Sequence, residues 1–194
     1  MAAQLKKMVL QPQDLPAAWK GTPYQAQAGQ ASDDAALSKC VGGRDTQHDK
    51  VAEAHSADYT MGNGMISSSA TSYRSQSDID ADVEMLHNRK LEGCLEQMVK
   101  KDLATSLPAG SKVEAASIKI TPGSAGGPSN VVATGTGIVK LSANRQRAAV
   151  YLTFAFITGP LIEADVQTET LGAPLPASML KSLVASVAGR AAKG

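Results

Sequence analysis

The stretch Ala148-Ala149-Val150-Tyr151-Leu152-Thr153-Phe154-Ala155-Phe156-Ile157-Thr158-Gly159-Pro160-Leu161-Ile162-Glu163-Ala164-Asp165-Val166-Gln167-Thr168-Glu169 decides the fold. In its first half Ala148, Val150, Leu152, Phe154 and Phe156 recur at every second position, the period of a strand whose side chains alternate between two faces. Tyr151 and Thr153 occupy the opposite face, so both faces of this strand are expected to be at least partly covered. Gly159-Pro160 is a turn signal. Beyond it Ile162, Ala164 and Val166 alternate with Glu163, Asp165, Gln167 and Glu169. That alternation reads as a strand with one solvated face, not as paired catalytic carboxylates. Strands joined by so short a turn pair antiparallel, because parallel neighbours need a long crossover.

Upstream the same grammar continues. Val113 to Ile120 is rich in β-branched residues and is followed by a Gly-, Ser- and Pro-rich loop from Gly123 to Asn130. Val131 to Leu141 is the next strand, closed by a turn at Ser142-Ala143-Asn144. Further back, Ala54 to Thr60 and Met65 to Tyr73 read as two strands joined at Gly62-Asn63-Gly64, residues that tolerate positive φ. Three helices punctuate the strands. Ser32 is expected to cap one that runs through Leu37 and Cys40 and stops at Gly42-Gly43. Ser77 is expected to cap a second, with Ile79, Val83, Leu86, Leu91, Cys94, Leu95 and Met98 at helical spacing, a bend near Asn88 to Leu91, and a stop at Leu107-Pro108-Ala109-Gly110. The third follows Pro176, where Leu180, Leu183, Val184, Val187, Ala188 and Ala191 form one apolar stripe. The expected architecture is α+β, an antiparallel sheet of about six strands flanked by helices. Residues 1–30, with Pro12, Pro16 and Pro23, read as an irregular arm with a short strand near Met8 to Leu10. Residues 31–194 read as a single domain.

Composition excludes several function classes. The chain has 194 residues, with 19 Lys+Arg against 18 Asp+Glu. Such a balance argues against a nucleic-acid binder, which carries a basic excess or stripe. The longest apolar run, Ala148 to Ile157, is interrupted by Thr153 and is far too short to span a membrane. Chemistry-bearing motifs are equally sparse. Asp78-x-Asp80-x-Asp82 lacks the glycine and closing glutamate of a calcium loop and reads as helix-start charge. His48, His55 and His87 have no metal-ligand spacing. No Gly-x-Ser-x-Gly elbow or phosphate-binding lysine loop is present, and Gly135-Thr136-Gly137 lies in a strand, where small residues allow close packing. Neither a catalytic residue, a cofactor nor a metal is expected.

Cys40 and Cys94 are the only cysteines. Without Cys-x-x-Cys spacing they are either a disulfide or two buried thiols. Met1-Ala2-Ala3-Gln4-Leu5-Lys6-Lys7 has no apolar segment behind its basic residues, so the chain is either cytosolic or the mature part of an exported precursor.

A resemblance bears on that choice. Asp14-Leu15-Pro16-Ala17-Ala18-Trp19 resembles the Asp-Leu-Pro-x-Gly-Trp opening of actinobacterial exported proteins and lipoproteins, with Ala18 where glycine is usual. Cys40, the strand from Ser67 to Tyr73, Cys94-Leu95 and Pro174-x-Pro176 follow in the same order as in those proteins. The pattern is similar to the Mog1/PsbP-like fold of mycobacterial lipoproteins of the LpqN kind. The resemblance implies a Cys40–Cys94 disulfide, an extracytoplasmic location and a leader removed before Met1, and it leaves room for a lipid anchor on the precursor. It carries over no catalytic residue.

The expected function is therefore a non-enzymatic envelope module of the protein-interaction or sensor type, its partner an unknown protein. The alternative is a carrier of a small apolar ligand or lipid held between sheet and helices, with Tyr151, Phe154, Phe156, Leu180, Leu183 and Val184 as its lining. A hydrolase is the weaker third reading.

Overall fold

The computed structural model describes residues 1–26, 30–108, 110–123, 127–143 and 146–193. The expected loop over 123–130, the turn over 142–144 and the helix stop over 107–110 run partly into residues 124–126, 144 and 109, which lie outside the described residues.

Among the described residues eight strands form one antiparallel sheet: β1 (Lys20–Thr22), β2 (Lys50–His55), β3 (Asp58–Met61), β4 (Gly64–Tyr73), β5 (Ser111–Pro122), β6 (Val131–Ala143), β7 (Gln146–Gly159) and β8 (Ile162–Leu171). Their order is β1-β3-β4-β8-β7-β6-β5, with β2 also on β4. The α+β class and the antiparallel sheet are as the alternation predicts. The strand count rises to eight because β1 is added and the expected strand over 54–60 divides. Opposite β4, His55 faces Ser69 and Tyr59 faces Ile66, so four steps on one side match three on the other. That extra residue is a bulge at Ser56-Ala57. The Ser56 hydroxyl accepts the Ser68 N–H at 2.9 Å there, repairing the ladder.

Among the described residues five α-helices cover the sheet: α1 (Ala2–Met8), α2 (Gln30–Val41), α3 (Gln76–Leu86), α4 (Leu91–Ser106) and α5 (Ala177–Ala191). The break between α3 and α4 falls at the expected bend. Two caps move. Ser32 lies inside α2, which starts at Gln30, and Ser75 caps α3 in place of Ser77 through a reciprocal pair with Asp78. The N-terminal stretch is also corrected. Met8 ends a helix instead of opening a strand, and Leu5, Met8, Val9, Leu10, Leu15 and Trp19 all enter the core.

One face of the sheet carries the main core, where Ile66, Ala70, Val131, Ala155, Ile157, Ala164 and Val166 meet α1 and the Leu183, Val184, Val187, Ala188 stripe of α5. Full burial of each Ile, Leu or Val there is worth roughly 1.5–3 kcal/mol. Arg190 ties the layer together. Its guanidinium donates to both carboxylate oxygens of Asp14, at 3.1 and 2.7 Å, and to the carbonyls of Met8 and Val9. The other face meets α2 and α4 through Ile118, Ile120, Ala133, Phe154 and Phe156. On the edge strand β5 the N–H groups of Ile118 and Ile120 donate to the Glu96 and Glu92 carboxylates, at 3.0 and 2.8 Å, so α4 occupies an edge that would otherwise invite strand pairing.

Candidate functional site

Strand alternation puts Glu163, Asp165, Gln167 and Glu169 on the α2–α4 face of β8. The register aligns them with Thr71, Ser69, Ser67 and Met65 of β4. On the other side Gln167 faces Phe154, and Asp165 faces Phe156, of β7. This face therefore grades from polar at β4 and β8 to apolar at β7, β6 and β5. The expected solvated face is exposed at Gln167 and Glu169 and covered at Glu163 and Asp165. Glu163 and Asp165 are half-buried because α2, α3 and the 43–49 loop roof them.

Between this face and the helices lie two adjoining cavities. The first, about 260 Å³ and the more polar of the two, has walls that include Asp34, Leu37 and Ser38 of α2, Thr46 and Lys50, Tyr73, Asp82 and Leu86 of α3, and Glu163 and Asp165. The second, about 280 Å³, is apolar and is lined by Leu95 and Val99 of α4, Ile118, Leu152, Phe154 and Phe156, with Met65 and Glu169 at one side. Leu95, Phe156 and Gln167 line both.

The polar cavity is organised by one network. The Tyr73 hydroxyl donates to Glu163 Oε2 at 3.1 Å. The Thr46 hydroxyl donates to Asp82, with both carboxylate oxygens within 3.0 Å. Burial, then the charge of Asp82 and a hydrogen bond with it, push the Glu163 carboxyl up to about 8, so this carboxyl carries a proton at neutral pH. Burial also raises Tyr73, with the Glu163 charge adding to it. Asp165 is raised by burial even though it accepts from the Ser69 N–H and the Gln167 amide. Asp34, hydrogen-bonded to Gln47, is raised by burial against the opposing charge of Lys50. Buried carboxyls in one cleft disfavour further negative charge and offer acceptors to a ligand's donors.

The apolar cavity depends on a glycine. Gly135 faces Phe154 across β6 and β7, and a Cβ there would overlap the Phe154 ring at Cε2. The absent side chain lets the Phe154 ring occupy the space over Gly135, and the ring lines the cavity. Phe156 meets the ring edge-on at 5.6 Å between centroids.

Of the six residues expected to share one ligand space, only Phe154 and Phe156 line the cavities. Tyr151 has the parity of Ala155 and Ile157 and belongs to the opposite face. Leu183 and Val184 are buried in the core of that opposite face, with Leu180 packed against it. One sheet separates the two groups. Residues missed from the sequence are Leu95, Val99, Ile118 and Leu152, and the polar set Asp34, Tyr73, Asp82, Glu163 and Asp165. Asp82 carried a usable signal, since it shares a helical stripe with Ile79 and Leu86.

Cys40 and Cys94 form a disulfide, Cα to Cα 6.0 Å, that joins α2 to α4 across the roof of the cleft. His55 stacks on Tyr24 with ring centroids 3.8 Å apart, and its Nε2 lies 3.6 Å from Glu53. Among the described residues, no group of three or more His, Cys, Asp or Glu side chains is arranged to hold a metal ion, and no helix is long and apolar enough to cross a membrane.

Fold and site together define an α+β domain with an open antiparallel sheet and a two-part cleft beneath a disulfide-linked helix pair. No family model and no curated protein matches the chain. Among solved structures it is similar to the extracellular domain of PknH from Mycobacterium tuberculosis, with a TM-score of 0.46 and 8% identity over 100% of this chain and 97% of that one.

Proposed function

We propose that this protein is a non-enzymatic, extracytoplasmic binding module that senses or carries a small molecule. The ligand has an apolar body and a polar end that donates hydrogen bonds. The carrying observation is the pair of adjoining cavities, one apolar and one lined with acceptors, which meet at Leu95, Phe156 and Gln167. A ligand site of this kind places a few polar groups beside an apolar surface, the polar ones fixing orientation and the apolar ones supplying affinity. The location is supported by the disulfide, since such bonds persist in oxidising compartments and not in a reducing cytosol.

The test is titration with the apolar fluorophore N-phenyl-1-naphthylamine. Fluorescence enhancement saturating at micromolar concentration is expected, followed by displacement with ligands from an envelope lipid extract. Leu95→Trp, which fills the junction of the cavities, is expected to weaken probe binding at least tenfold with an unchanged circular-dichroism spectrum. A native chain that never enhances the probe, or a Leu95→Trp variant that binds as well as the parent, refutes the reading.

A further inference from the structure

One wall of the polar cavity is thinly packed. Helix α2 supplies Asp34, Leu37 and Ser38 to it, yet among its described residues only Ser38 and Val41 are buried. Its sequence is mostly Ala, Ser, Asp, Gln and Lys, without the apolar stripe that anchors α5. Among the described residues its non-covalent ties are modest. Leu37 and Val41 pack into the apolar layer that holds Leu86, Leu91 and Ile118, Asp34 accepts from Gln47, and the Val41 carbonyl accepts from Asn88 at 3.4 Å. The covalent tie is the bond from Cys40 to Cys94. Its two ends differ, for Cys40 is exposed while Cys94 is buried in α4 at 5% exposure. Helix α4 is held independently, by Leu91 in the core and by Glu92 and Glu96 on the β5 edge.

We propose that the Cys40–Cys94 disulfide is a redox latch on the cleft, so that its reduction by a dithiol frees α2 and opens the polar cavity. The proposal rests on the reading of the cleft as a binding site. In chemical balance, a thiolate of the reductant attacks the sulfur of Cys40, the exposed residue of the pair, and Cys94 leaves as a thiolate that takes up a proton. The second thiol of the reductant then resolves the mixed disulfide. It releases Cys40 as a thiol and leaves the reductant as its own disulfide, with two electrons and two protons passed to the protein. Exposure at Cys40 makes the attack feasible, and the weak packing of α2 makes the consequence local, since regions with few buried contacts open before the core does.

The experiment is hydrogen–deuterium exchange on the full chain at 25 °C, oxidised and after dithiothreitol, paired with naphthylamine-probe binding in both states. Reduction is expected to leave the amides of residues 30–41 exchanging at least tenfold faster than before and at least tenfold faster than those of β4, β7 and β8, whose protection falls only with the global stability, and probe affinity is expected to fall at least fivefold. Unchanged exchange in α2 overturns the latch, as does a reduced protein in which α2 exchanges no faster than the sheet, which makes the bond a global staple. Local loosening of α2 without probe binding in either state supports the latch and refutes the binding reading instead, so the two failures are distinguishable. Cys40→Ser with Cys94→Ser is expected to reproduce the reduced state, and reduction of already folded protein keeps the test valid if that variant does not fold.

Discussion

Glu163 and Gly135 carry the two halves of the cleft. A carboxyl whose folded value is raised above its unfolded one binds more protons when folded, so its contribution is fully present below the unfolded value near 4.5. It is lost as pH rises through the folded value of about 8. Glu163→Gln keeps the shape and cannot ionise against Asp82. We expect it to stabilise the protein by on the order of 1–2 kcal/mol at pH 8 relative to the parent, with the gap closing towards pH 5. Urea denaturation midpoints at the two pH values check this, and a constant difference between them refutes it. For Gly135→Ala the Cβ displaces the Phe154 ring. The cost is roughly 2 kcal/mol, or about 4–8 °C in Tm for a chain of this length, together with weaker probe binding. A melting curve that matches the parent contradicts this assignment.

Elements are held by a few polar contacts placed where packing alone is thin. Helix α1 has only seven residues, too short to fold on its own. It is held by Leu5 and Met8 in the core and by Arg190, which binds the Met8 and Val9 carbonyls and Asp14 together. Burial would raise the Asp14 carboxyl, but the Arg190 hydrogen bonds, the Gln11 N–H and the Arg190 charge outweigh it and hold the group below its usual range. A depressed carboxyl stabilises above the unfolded value and loses that contribution as pH falls through the folded one. Asp14→Asn is therefore expected to cost roughly 2 kcal/mol at pH 7, with the deficit shrinking below about pH 4 as the parent's own carboxyl protonates. Thermal melts across that range decide it. At the far edge, Glu92→Ala with Glu96→Ala leaves the N–H groups of Ile118 and Ile120 without their acceptors, and concentration-dependent association through β5 is expected in sedimentation velocity. The sequence showed neither device. A seven-residue helix with two apolar positions has no measurable period, and glutamates on a helix look solvated until the strand beside them is known.

At the scale of the whole molecule, the strand alternation was legible and the cleft was not, for one physical reason. Period-two spacing tells which residues of β7 and β8 share a face, and it placed Phe154 with Phe156 and Glu163 with Asp165 correctly. It cannot tell what covers a face. The helices roofing Glu163 come from residues 30–106, and the stripe that seals the opposite face comes from residues 177–191. A face covered by amphipathic α5 packs into a continuous core, whereas one covered by the polar α2 leaves space, and that difference in helix composition creates the cleft. The disulfide compensates for the looser layer. It closes a loop of 54 residues, for which loss of unfolded-chain entropy is worth roughly 4 kcal/mol. Typical domains hold about 5–15 kcal/mol in total, so the reduced chain is expected to stay folded at 25 °C with its Tm lowered by roughly 8–16 °C. Scanning calorimetry of Cys40→Ala with Cys94→Ala checks this. A single cooperative transition displaced by that amount fits a sheet that survives its missing latch, whereas loss of the transition altogether means that the main core cannot stand without the α2–α4 layer.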